Sequence, residues 1–71
     1  MLDRKYLFSR YKNLGARILA LELRIFKLEN HLDAHSTDYQ SRLALFELRR
    51  QLDITKYRRQ EVLYLMEVKR G

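Results

Sequence analysis

Apolar residues recur at alternating steps of three and four through the first half of the chain. Leu7, Tyr11, Leu14, Ile18, Leu21, Ile25, Leu28 and Leu32 share that spacing, which keeps one apolar stripe on one face of a helix. Glu22, Arg24, Lys27 and Glu29 fall off the stripe. It runs into His35-Ser36-Thr37-Asp38, the one polar cluster that reads as a turn. Thr37 with Gln40 three residues on fits a capping box, in which each side chain satisfies an orphan amide of a new helix. Leu45, Leu48 and Leu52 then resume the pattern, with Val62 and Met66 in phase. Thr55 and Arg59 hold the stripe positions between them. That weakening predicts a bend or a second helix pair over 53–60, with Asp53 marking the break. Asn13-Leu14-Gly15 is a second stopping point, since glycine is favoured just past a helix end, and the stripe passing through it leaves that boundary open. Proline is absent and the interior is rich in Leu, Arg, Glu, Lys, Gln and Ala, residues that lose little rotamer freedom in a helix. The expected fold is all-α. It is a small antiparallel helical bundle, with two long helices forming a hairpin joined near 35–40 and shorter terminal helical segments.

Size and composition narrow the function. A chain of 71 residues supports one small domain and buries only about 60 % of its unfolded surface. A deep pocket with its supporting shell is not expected, so no enzymatic activity is expected. Cysteine is absent, which removes disulfides, thiol nucleophiles and cysteine-based zinc sites. No cofactor is implied. No apolar run approaches the ~18 residues of a membrane span, and MLDRKYLFSR lacks the apolar core of a signal peptide.

Charge points outward to a partner. Fifteen Lys and Arg stand against nine Asp and Glu, for a net +6. Residues 4–17 hold Arg4, Lys5, Arg10, Lys12 and Arg17 with no acid; residues 42–59 hold Arg42, Arg49, Arg50, Lys56, Arg58 and Arg59 against Glu47 and Asp53. Basic faces interleaved with tyrosines are the footprint of a nucleic-acid binder, and arginine forks suit phosphate oxygens. The bland alternative is a set of solvated helix faces. Membrane-surface binding is not expected, because the bulky apolar residues are committed to packing.

One polar constellation stands out. His31 and His35 lie one turn apart, and Asp38 and Ser41 follow around the turn. Two histidines at that spacing with a carboxylate form an acceptable metal-ligand set, but no third histidine or metalloprotease glutamate accompanies them. A His–Asp pair beside a serine suggests hydrolysis, yet a turn between exposed helices offers no oxyanion hole. Two readings remain level on the residues alone. In one, His35 and Asp38 cap the helix end and tie the turn. In the other, short polar side chains read 2′-hydroxyls and base edges in the shallow minor groove of RNA, while flanking arginines hold phosphates.

The run Leu28-x-x-His31-Leu32-x-x-His35-x-x-Asp38-Tyr39-x-Ser41-Arg42-x-x-Leu45, entered through Leu23-Arg24-Ile25, resembles the core signature of the small-subunit ribosomal protein S-fifteen family. The likeness covers roughly residues 23–45. It implies a four-helix protein that binds small-subunit ribosomal RNA in the central domain, at a three-way junction and a nearby helix with a G·U/G·C feature. By that likeness His31, Asp38 and Ser41 contact the minor groove there, with His35 and Arg42 beside them. Tyr57 becomes an RNA contact if one residue is missing between Leu45 and Ile54. The family's Thr-Gly-Ser-type loop and the glutamine after it do not carry over to Tyr11–Arg17, where Arg17 can only substitute a charge. Neighbouring ribosomal proteins, and a contact with the large subunit, are the further partners implied.

The expectation is therefore a single helical rRNA-binding domain over 1–71, a structural constituent of the ribosomal small subunit. His31, His35, Asp38, Ser41, Arg42, Tyr57, Arg17, Arg49, Arg50 and Arg58 are its candidate RNA contacts. Drift from the family pattern favours an organellar ribosome, mitochondrial or plastid, with the bacterial cytoplasm as the other setting. The rival expectation is a helical-hairpin or coiled-coil protein–protein adapter.

Overall fold

The computed structural model describes residues 3–68, and these form two helices, α1 (Arg4–Ala34) and α2 (Tyr39–Val68). The helices pack against each other along their lengths in antiparallel fashion, since Glu29 meets Arg49 near the turn and Tyr11 meets Arg59 near the open end. At ~1.5 Å per residue each helix is about 45 Å long, which accounts for a molecule measuring 52 × 15 × 14 Å. The hairpin is a rod. Its radius of gyration is 16.0 Å, against about 11 Å for a compact globule of this length.

The core is the stripe. Leu7, Ile18, Leu21 and Ile25 of α1 are buried against Leu45, Thr55 and Val62 of α2, and Tyr11, Leu14, Leu28 and Leu32 are half-buried beside them. Every stripe position of α1 therefore faces α2. The polar 35–38 segment makes the reversal. His35 ends α1 with its N–H donating to the His31 carbonyl at 2.9 Å, and the Asp38 N–H donates to the His35 carbonyl at 3.1 Å.

Three expectations are corrected. First, the residue that caps the start of α2 is Asp38 rather than Thr37. The Asp38 carboxylate accepts from the Ser41 N–H at 3.2 Å, and the Arg42 N–H donates to the Asp38 carbonyl at 3.1 Å, so Asp38 occupies the N-cap. Second, no break or bend-defined helix pair occurs over 53–60, and no separate terminal segments flank the hairpin among the described residues; the terminal pieces are the ends of α1 and α2. Third, the described residues form two helices rather than the four that the family likeness implies.

The apparent weakness of α2 disappears once α1 is laid against it. Thr55 is buried, but its hydroxyl donates to the Gln51 carbonyl one turn back at 2.7 Å, so its polar atom is satisfied inside the helix. Arg59 lies across the interface with its guanidinium carbon 4.1 Å from the Tyr11 ring centre. Gly15 is where that guanidinium fits: a methyl group there would come within 3.0 Å of the Arg59 Nη2. Glycine inside a helix costs about 1 kcal/mol relative to alanine. Here that cost accompanies room for a large side chain opposite, and α1 runs through without stopping.

Candidate nucleic-acid interface

At the closed end of the hairpin, Asp38 gathers the polar constellation. Its Oδ2 accepts from the Ser41 hydroxyl at 2.7 Å and lies 2.9 Å from the His31 Nε2, while Oδ1 takes the Ser41 N–H. A carboxylate only accepts, so the His31 hydrogen resides on Nε2 and leaves Nδ1 open. The hydrogen bonds from Ser41 and His31 hold the Asp38 carboxyl at about 2, down from its ordinary 3.8. The His31 and His35 rings lie 4.8 Å apart, tilted by 35°. His31 remains 43 % exposed and Asp38 35 %, so the cluster is ordered and still open to a ligand.

In a hydrolytic triad the serine donates to the imidazole, which activates it; Ser41 donates to the Asp38 carboxylate instead. Among the described residues no group of three or more histidines and acids is arranged to hold a metal ion, and no helix is long and apolar enough to cross a membrane. The capping reading holds in full for Asp38, and His35 closes α1 through its backbone. What the cluster offers outward is a ring nitrogen, a hydroxyl oxygen and carboxylate edges, the groups that exchange hydrogen bonds with a minor groove.

The basic residues divide into three places. Arg17 lies with Arg24, Leu21 and Gln51 along one flank of the hairpin, and Arg58 joins Arg10 further along that flank. Arg42 and Arg49 follow each other by seven residues on the opposite flank, where Arg49 donates to Glu29 at 3.2 Å across the helices. Arg50 and Tyr57 lie on the outer side of α2, Arg50 pairing with Glu47 at 3.8 Å and Tyr57 67 % exposed. Tyr57 is about 28 Å along the helix from Asp38, so the turn and Tyr57 do not form one compact site.

Sequence reasoning passed over a row. Arg10, Arg17, Arg24 and His31 are spaced by seven residues on α1, which places them on one side at a pitch of about 10.5 Å. Among the described residues none of the three arginines is ion-paired. The seven-residue spacing was the signal available, and grouping the charges by segment hid it. Arg59, counted among the surface charges, is instead half-buried, its Nε enclosed without a hydrogen-bond partner.

Comparison with protein families, curated proteins and solved structures finds no match to this chain.

Proposed function

We propose that the protein is a structural RNA-binding component of the ribosomal small subunit, engaging ribosomal RNA through the turn and the arginine flank of α1. The observation that carries this reading is the continuity of the two. Arg10, Arg17 and Arg24 lead along one flank to His31, which is locked to Asp38 and Ser41. The row spans about 32 Å, on the order of one duplex turn. Arginines at that pitch contact phosphates, while the cluster meets groove edges. The resemblance of residues 23–45 to the S-fifteen family supplies the kind of RNA: a small-subunit fragment with a three-way junction and a G·U/G·C helix. Binding, not catalysis, is the activity proposed, on an organellar or bacterial ribosome.

The test is binding to that fragment against random duplex RNA, for the wild type and His31→Ala/Asp38→Ala. Loss of roughly 5- to 150-fold per groove contact is expected on the specific fragment, taking base readout in DNA as the guide, with little change on random duplex. Equal loss on both RNAs would remove specificity from the turn. Indifference on both would remove the turn from the interface.

A second reading, a protein–protein adapter, is favoured by one observation. Leu19, Leu23 and Phe26 on α1 are 67 %, 55 % and 60 % exposed, spaced along the side away from the core.

A further inference from the structure

The outer side of α2 carries a second stripe. Leu43, Ile54, Tyr57, Tyr64 and Val68 are 70 %, 40 %, 67 %, 65 % and 56 % exposed. With Glu47, Arg50 and Glu61 between them, they recur at steps of four and three from one end of the helix to the other. Two shallow depressions lie along this side. Phe46, Arg50 and Ile54 line one, and Tyr57, Glu61 and Leu65 line the other in the same relative positions, eleven residues on. A seam of this period is what a helix presents to another helix running alongside it.

We infer that this face receives a second copy of the chain, α2 against α2 in antiparallel orientation about a two-fold axis between Thr55 and Lys56. The pattern is complementary to itself. That axis sets Leu43 opposite Val68 and Ile54 opposite Tyr57. It also brings Arg50 to Glu61 and Glu47 to the Tyr64 hydroxyl, and each meeting occurs twice because the interface is isologous. No like charges of the seam face each other in this register. Reversing the second helix to run parallel would set each charge against its own copy, which argues for the antiparallel register. The chain exposes 5932 Å², whereas a globular chain of its mass exposes about 4,700 Å². The excess, about 1,200 Å², belongs to the rod shape of the whole hairpin, 52 × 15 × 14 Å, of which this face is one long side. Arg17 and Arg24 of α1 lie off this seam beside Gln51, whereas Glu61 of the seam also borders the depression that Arg10 lines.

Sedimentation equilibrium on the full chain, from micromolar to submillimolar concentration, tests the inference, with circular dichroism reporting helicity. The expected mass is twice 8.7 kDa. Arg50→Glu and Glu61→Arg each weaken self-association roughly ten-fold or more, since each sets like charges together twice. Combining the two in one chain restores it. Ile54→Arg gives a helical monomer. A wild-type chain that is helical and monomeric at every concentration overturns the inference. A dimer unaffected by these substitutions, or one that the double exchange fails to restore, overturns it as well. Neither result depends on whether the chain binds RNA.

Discussion

The two flanks of the hairpin carry similar residues to different ends. On one, Arg49 reaches across to Glu29 at 3.2 Å, and Glu22 lies seven residues from Glu29 on the same side of α1. On the other, Arg10, Arg17 and Arg24 line α1 with no acid in their row, and α2 brings Gln51, Arg58 and, beside Arg10, Glu61. The first flank holds an ion pair between the helices; on the second, none of the three arginines of the row is ion-paired among the described residues. Net charge alone cannot separate these cases. What separates them is whether the opposing helix supplies the counter-charge, and that depends on how the helices are placed.

The largest effect should come from breaking the open flank. Arg10→Ala/Arg17→Ala/Arg24→Ala is expected to weaken RNA binding on the order of several hundred-fold at ~0.1 M salt, taking one released counterion per arginine. Fluorescence titration with the rRNA fragment reads it, and helicity should be unchanged.

Arg59 sharpens the contrast from inside. It is a basic residue in the stripe with a buried, unpartnered Nε, and such a group carries an unrecovered desolvation cost. Arg59→Leu is expected to raise stability by about 1 kcal/mol in thermal or urea unfolding, with little change in RNA affinity. A fall in stability would mean that stacking on Tyr11 outweighs that cost.

Asp38 adds a pH dependence at the turn. Its folded carboxyl titrates at about 2, below the ordinary 3.8, so the ionised form favours the fold. The stabilisation is present above pH ~4 and is lost as pH falls from about 4 to about 2. Asp38→Asn should lower the melting temperature at neutral pH and flatten that acid limb; an unchanged limb would show that the carboxylate does not hold the turn. The smallest effect belongs to the ion-paired flank. Glu29→Gln removes an exposed pair worth about 0.5 kcal/mol and should strengthen RNA binding slightly by freeing Arg49.

Much of this was legible in the sequence, unevenly and for physical reasons. The α1 stripe could be read whole, because its positions are filled by residues whose burial needs no partner to explain it. The turn was legible too, being the one polar interruption of the pattern. The cap was misplaced by one residue because Thr37-Gln40 and Asp38-Ser41 both have the three-residue spacing. Only the carboxylate can also accept from His31, and that contact is across the turn. The continuity of α2 was not legible, since Thr55 and Arg59 are unusual core residues until Gln51, Tyr11 and Gly15 are placed beside them. Of the candidate site, His31, Asp38 and Ser41 could be grouped from their spacing, and the structure joins them by hydrogen bonds. The arginine row was missed because its members are spread over about four turns at a period that only a helix aligns.

The most direct test of the account compares the flanks themselves. Salt dependence of binding to the rRNA fragment would be measured for Arg10→Ala/Arg17→Ala/Arg24→Ala and for Arg42→Ala/Arg49→Ala/Lys56→Ala. The first triple should flatten the slope of log affinity against log salt by about three, and the second by about one or less. Equal flattening by both, or a larger loss from the second, would contradict the assignment of the open flank as the RNA-binding face.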